Sequence, residues 1–241
     1  MSLGNGVKLT WLGHATFLLE TPGQKRVLID PWITGNPATP EALRDPGDLD
    51  LILLSHGHSD HTGDVIRLAK EKQPSGVLAM VELAGWLGSQ GVEKAVGFNK
   101  GGSHQAEGIT VTLTDAHHSS SMEGPDGSIV YTGEPAGMII TLEDGYRIYF
   151  AGDTCVFGDM ALIGELYEPD LAMLPIGDFF TMGPREAAKA VELLGVKRVL
   201  GMHYGTFPAL SGTPQGLRDE LAKRGLSGVV VEELAPGDTL E

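Results

Sequence analysis

The chain has 241 residues and 41% hydrophobic content, enough to bury a sizeable core as one domain over 1–241. Lys and Arg number 17 against 32 Asp and Glu, and a formal charge of −15 disfavours a large nucleic-acid footprint, though not a small anion drawn to bound cations. Cys155 is the only cysteine, which excludes an internal disulfide and fits a reducing, cytoplasmic setting.

No leader-like or membrane-length apolar run occurs, while the opening Met1-Ser2-Leu3 leaves a leader ahead of it open. Lys8 to Trp11 and Ala15 to Glu20 read as strands interrupted at Gly13-His14. Thr21-Pro22-Gly23-Gln24 turns the chain into a strand from Arg26 to Ile29 that ends at Asp30-Pro31. Residues 34–48, with Pro37, Pro40 and Pro46, read as a surface loop. Leu51 to Leu54 is a short apolar run of buried-strand type, and Thr62 to Lys72 reads as a helix with Val65, Ile66, Leu68 and Ala69 on its apolar stripe. A strand over Val77 to Met80 and a helix over Glu82 to Gln90, ended by Gly91, follow.

Ile109 to Thr114 alternates as a half-buried strand and runs into Asp115-Ala116-His117-His118-Ser119-Ser120-Ser121. The Gly- and Ser-rich stretch from there to Gly133 reads as a long mobile loop bordering a site. Met138 to Leu142 and Tyr146 to Phe150 form a hairpin around Glu143-Asp144-Gly145, ending at Gly152-Asp153-Thr154. A helix is then expected before the strand Asp170 to Leu174, followed by a helix over Pro184 to Leu194 and a strand over Arg198 to Gly201. That strand delivers Met202-His203-Tyr204, and a helix over Pro214 to Arg224 and a strand over Val229 to Val231 complete the chain. The two halves share a rhythm of hairpin, Asp, helix and strand, which two sheets packed face to face between helices would satisfy. Any α/β chain shows some such rhythm, so periodicity alone does not decide it.

Directly after Leu51 to Leu54 stand His56, His58, Asp60 and His61, three histidines and an aspartate in six positions. Imidazole and carboxylate together suit zinc and similar divalent ions. Alternate residues of an extended segment point the same way, so His56 and His58 can converge on one ion. Asp60 and His61 follow where the chain turns into a helix and can face a second ion. The competing reading is a polar, helix-capping loop with incidental histidines. His118, Asp153 and His203 also follow predicted strands at their C-terminal ends, where open α/β sheets place ligands. Together they make seven metal-competent side chains at four strand ends.

This order, His-x-His-x-Asp-His followed by His, Asp and His, resembles the metallo-β-lactamase superfamily over nearly the whole chain. Trp11-Leu12-Gly13-His14-Ala15-Thr16, Asp30-Pro31-Trp32, Pro175-Ile176-Gly177-Asp178 and Met202-His203-Tyr204-Gly205-Thr206 are most similar to its small, lactonase-like UPF hydrolases. The resemblance implies an α/β, four-layer αββα sandwich and two divalent metal ions, zinc first, with manganese or iron accepted by the same ligand types. It implies that His56, His58 and His118 hold one metal and Asp60, His61 and His203 the other, with Asp153 bridging. The implied activity is hydrolysis of a small-molecule substrate by a metal-bound hydroxide that Asp60 also orients, with leaving-group protonation from a metal-bound water. A carboxylic ester or lactone is the first expectation and a phosphodiester the alternative. A non-catalytic metal-binding domain of the same fold, or a di-iron redox protein, are further alternatives. The intact ligand set disfavours the former and His58, where such redox relatives carry glutamate, the latter. The chain is expected to carry no membrane span and to contact no nucleic acid, and a homo-oligomer stays open.

Tyr204 and Thr154, next to ligands, are candidate donors to a developing oxyanion, and Phe179, Phe180 and Met182 candidates for an apolar substrate wall. His118 is preferred over its neighbour His117 because the family's pattern places Ser after the ligand. His14 either supports the site, contacts substrate, or is an ordinary strand-end histidine. Asp30 either orients a ligand histidine or caps a turn beside Pro31. Cys155 is read as a small buried residue and His104 as solvated.

Overall fold

Period-two alternation in the strands decides the layering. Leu9, Trp11, Phe17, Leu19, Val27, Ile29, Leu51 and Leu53 join one buried cluster, while the intervening Leu18, Leu28, Ile52 and Leu54 join another. In the second half Val111, Leu113, Met138, Ile140, Ile148, Phe150, Leu171 and Met173 face the first cluster, and Ile139, Tyr149, Ala172 and Leu174 face a third. Each sheet is therefore apolar on both faces, one against the other sheet and one against helices.

The computed structural model describes residue 3 and residues 6–124 and 126–241. Met1, Ser2, Gly4 and Asn5, and Pro125 within the Gly- and Ser-rich stretch, lie outside them. The strands are β1 (Lys8–Gly13), β2 (Thr16–Glu20), β3 (Arg26–Ile29), β4 (Leu51–Leu53), β5 (Gly76–Met80), β6 (Ala95–Phe98), β7 (Ser103–Ala106) and β8 (Ile109–Asp115). They continue with β9 (Ser121–Glu123), β10 (Ile129–Tyr131), β11 (Ala136–Thr141), β12 (Arg147–Phe150), β13 (Leu171–Pro175), β14 (Arg198–Met202), β15 (Val230–Glu232) and β16 (Thr239–Leu240). The helices are α1 (Ser59–Thr62), α2 (Val65–Lys72), α3 (Val81–Ser89), α4 (Met160–Tyr167), α5 (Pro184–Leu194) and α6 (Pro214–Lys223).

One seven-stranded sheet has the order β16-β1-β2-β3-β4-β5-β6 and the other β15-β14-β13-β12-β11-β8-β7. Both are mixed: β1 to β3 pair antiparallel before β3 to β6 run parallel, and β7, β8, β11 and β12 pair antiparallel before β12 to β15 run parallel. Residues of α2 and α3 cover the first sheet, and those of α4, α5 and α6 the second. The result is the expected helix–sheet–sheet–helix sandwich. No helix among the described residues is long and apolar enough to cross a membrane.

Several local expectations are corrected. The helix expected over Thr62 to Lys72 is broken into α1 and α2 at Asp64, whose main-chain N–H donates to Pro31 O at 2.9 Å instead of continuing the helix. The Asp64 side chain ties down the loop after Pro31. Its carboxylate accepts from Ile33 N at 2.6 Å, Thr34 N at 2.8 Å and the Thr34 hydroxyl at 2.7 Å. The stretch ahead of Gly133 is not all loop but holds the small hairpin β9–β10, paired Val130 to Met122. The sheet-edge strands β6 and β7 have no buried apolar alternation to announce them, and β16 is a two-residue pairing with β1, Leu9 opposite Leu240.

Phe17 is fully buried between the sheets, its ring 6.3 Å from Trp11 and 6.4 Å from Phe150 of the opposite sheet. Phe17→Ala should cost about 3–5 kcal/mol in urea unfolding at fixed metal. A cost below about 1 kcal/mol, at the small end of core truncations, would show that the sheets do not depend on this contact.

Candidate metal centre

The C-terminal ends of β4, β8, β12 and β14 meet at one edge of the sandwich, and the loops leaving them carry all seven expected ligands. The geometry gathers His56, His58 and His118 into one group and Asp60, His61 and His203 into another that also includes His14. In each group the ligand atoms lie within 4.8 Å of one another. Asp153 stands between the groups: its Oδ2 is 3.6 Å from His118 Nε2, 4.0 Å from His56 Nε2, 3.4 Å from His61 Nε2 and 3.1 Å from His203 Nε2. His56 Nε2 and His58 Nδ1 share a hydrogen bond of 3.0 Å, so these two ring nitrogens converge on a common place.

Short hydrogen bonds set these rings. The buried Asp30 accepts from Ser55 N at 2.8 Å and the Ser55 hydroxyl at 2.6 Å, and it pairs with His61 Nδ1 at 2.7 Å. The Ser55 oxygen lies 3.0 Å from His56 Nδ1. One carboxylate thus orients His61 directly and His56 through Ser55, the arrangement by which outer carboxylates fix the ring of a metal-binding histidine. Asp30 therefore supports the centre rather than merely capping a turn. Ser55 is a member the sequence reading missed, although its place between the apolar run and His56 was the available signal.

The backbone is specialised at the same points. His14, Asp30 and His203 adopt left-handed φ of 57°, 46° and 56°. Each such non-glycine conformation costs on the order of 1–3 kcal/mol and persists where surrounding contacts demand it. Gly152, just before Asp153, has φ 61°, and a Cβ there would come within 2.8 Å of Ser55 Cβ. Only glycine lets the two sheets approach at this corner. Gly57 is equally confined, since a Cβ would overlap the Thr132 hydroxyl.

Other expected residues are not brought together. His117 points away, its Nε2 3.2 Å from Asp115 and its ring stacked on Phe157 at 4.6 Å. The buried Thr154 hydroxyl donates to Cys155 O at 2.7 Å and accepts from His117 N at 2.9 Å, so it has no proton left for an oxyanion. Tyr204 turns between the sheets onto Trp11, 5.1 Å between centroids, and its hydroxyl donates to Leu234 O at 3.3 Å. In this arrangement both hydroxyls donate to main-chain carbonyls. Met182 is core, whereas Phe179 and Phe180 are exposed on a loop. Cys155 is exposed, not buried, and His104 is half-buried near Phe98.

Residues 25–204 match the family model of the β-lactamase superfamily domain. The chain is 50% identical to a UPF0173 metal-dependent hydrolase of Rubrobacter xylanophilus over 98% of its own length and 96% of the relative's. It is 52% identical to one of Herpetosiphon aurantiacus over 95% of both chains. It belongs to the UPF0173 family of metal-dependent hydrolases. A solved metallo hydrolase of the archaeon Ignicoccus hospitalis superimposes on it with a TM-score of 0.84 at 36% identity, covering 97% of each chain.

The electrostatics of this hydrolase centre are those of buried charge seeking compensation. Burial works to raise the Asp153 carboxyl, but His203 and His61 outweigh it and hold the group well below the usual carboxylate range. Burial likewise works to lower His61 and His203, yet Asp153, with Asp30 and Asp60, lifts His61 well above its ordinary value and His203 to about 9. His56 is driven well below its ordinary value by burial and by His61, and burial takes His14 down to about 4. Even so, His61 Nε2, His203 Nε2 and Asp153 Oδ1 are buried without a hydrogen-bond partner. Buried His and Asp ligand atoms without a hydrogen-bond partner, converging on shared points, are a donor set that a divalent cation satisfies by displacing the histidine protons.

Zinc should therefore stabilise the fold. Excess zinc at about a thousandfold its dissociation constant adds about 4 kcal/mol, or about 8–16 °C in Tm for a chain of this size, over chelator-stripped protein. Equal midpoints in the two states would show that this cluster does not hold metal.

Proposed function

We propose that the chain, acting as one domain over 1–241, is a binuclear hydrolase of small, uncharged carboxylic esters or lactones. The observation that carries this reading is the convergence of seven His and Asp side chains, three of which, His61, His203 and Asp153, keep buried ligand atoms without a hydrogen-bond partner. His56, His58 and His118 would hold one cation, Asp60, His61 and His203 the other, and Asp153 both. Two divalent ions there, zinc first and manganese or iron by the same ligand types, would provide a nucleophile at neutral pH and polarise the bond under attack.

The chain's own residues do the rest. Asp30 and Ser55 keep the His61 and His56 rings from turning, so the ligand set is preorganised before substrate arrives. Asp60 stands at the mouth, partly exposed, where a cavity of about 330 Å³ opens beside His58 and Asp60. That cavity is lined further by Ser59, Ser121, Met122, Glu123, Gly127 and Ile129, with no Lys or Arg. Phosphoryl recognition usually enlists such cations, and an acidic, partly apolar wall favours a neutral ester over a phosphodiester. An exposed, unpaired thiol at Cys155 suits a cytoplasmic setting, which is part of this proposal.

Two substitutions test the ligand assignment. His118→Ala should remove metal and activity together, while His117→Ala should leave metal content near the parent's; the reverse pattern by elemental analysis would overturn the assignment at this strand end. Asp153→Asn, nearly the same shape without the charge, should weaken metal binding and lower kcat on a responsive ester or lactone at least about 100-fold at saturating metal. Unchanged kcat in a metal-loaded variant would remove Asp153 from the reaction centre.

A further inference from the structure

His14 is the one histidine in the second ligand group that the seven-residue pattern does not use. It sits at the turn between β1 and β2, fully buried, with its ring centroid 3.8 Å from that of His203 and 5.8 Å from that of His61. All its polar atoms on the site side are engaged. Nε2 lies 3.0 Å from Asp60 Oδ2, and Nδ1 lies 3.0 Å from the Thr206 hydroxyl. Its main-chain carbonyl accepts from His203 N and from the Trp11 indole N–H, each at 3.0 Å.

These contacts fix the tautomer. An ionised carboxylate only accepts, so the proton of a neutral His14 must sit on Nε2, and Nδ1 must then accept from the Thr206 hydroxyl. The direction is Thr206 Oγ1–H to Nδ1, and Nε2–H to Asp60 Oδ2. A ring nitrogen that carries a proton cannot also ligate a cation. In this His14 differs from His61 and His203, whose Nε2 atoms have no hydrogen-bond partner. The two residues that His14 restrains come from opposite sheets: Asp60 follows β4 of one, and His203 follows β14 of the other.

We propose that His14 is a positioning residue for the second cation, holding Asp60 through its ring N–H and His203 through its carbonyl, with Thr206 setting its tautomer. Occupancy of that half of the site then depends on a side chain that is not itself a ligand. The inference rests on the binuclear reading above. It accounts for an imidazole kept at a left-handed turn, where its carbonyl reaches one ligand and its ring another.

The experiment is a titration of the metal-free chain with zinc against a chromophoric chelator, repeated with cobalt to record the visible ligand-field bands. For the parent, two equivalents are expected. His14→Ala should weaken the second equivalent about 10–100-fold, the usual effect of losing an outer hydrogen bond to a ligand, and leave the first nearly unchanged. His14→Gln, whose side-chain amide can again donate to Asp60, should recover most of the loss with cobalt bands at the parent's positions. Thr206→Val should give a smaller loss, also without band shifts.

Parent-like affinity for both equivalents in His14→Ala overturns the proposal while leaving the binuclear reading intact. Loss in His14→Gln equal to that in His14→Ala, with shifted cobalt bands, makes the imidazole a ligand and also overturns it. A parent that binds one equivalent only overturns the binuclear reading and this inference with it. Should His14→Ala not fold, His14→Leu, which fills the space without a donor, takes its place, and parent-like affinity for the second equivalent in that variant overturns the proposal.

Discussion

The structure turns on one buried negative charge. Asp153 is withdrawn from water at the corner where the two sheets meet, and a carboxylate in that position is tolerated only with close compensation. Its compensators, His61, His118 and His203, lie 3.1–3.6 Å away and arrive from three separate strand ends of both sheets. The charge therefore ties the closure of the sandwich to the assembly of the site. Glycine at 152 serves that requirement, because any side chain there would hold Ser55, and with it the end of β4, away from Asp153.

A second buried carboxylate works in the opposite sense. Asp30 accepts three hydrogen bonds from Ser55 and His61, with both of its oxygens engaged, and acts as a fixed brace. Asp153 keeps Oδ1 without a partner and acts as an open acceptor. Two aspartates at the ends of adjoining hairpins thus divide the work, one rigidifying the rings and one facing the point where they converge. The left-handed backbone at His14, Asp30 and His203 belongs to the same economy: local conformational cost is accepted where it aims a site group, and the alternating apolar strands behind it supply the stability.

The acidic composition also acquires a location. Outside the centre, most acidic residues are paired or solvated at the surface, as in Lys25 with Asp50 and Glu107, or Arg67 with Asp64 and Glu71. At the mouth, by contrast, Asp60 and Glu123 line the cavity with no Lys or Arg among the described lining residues. A cation held by the cluster would supply the positive charge that such a wall lacks.

The sequence by itself determined the order of the metal-competent residues and the alternation of hairpins and α/β units, while the four-layer architecture followed from the superfamily that this order resembles. Those features are local: alternation with period two, short apolar runs, and metal-competent residues directly after them. What stayed illegible depended on partners distant in the chain. The strands β6 and β7 are edge pairings with little buried side chain to impose a pattern, and the hairpin β9–β10 is a small separate ribbon in a polar stretch. Thr154 and Tyr204 stand beside ligands in sequence, but the fold commits their hydroxyls to Cys155 and Leu234 carbonyls. Conversely, His14 and Thr206 are 192 positions apart, and only the meeting of the two sheets puts them in one hydrogen-bonded line to Asp60. Which residue can bind metal is written in its chemistry; which lone pairs remain free to do so is decided by tertiary hydrogen bonding.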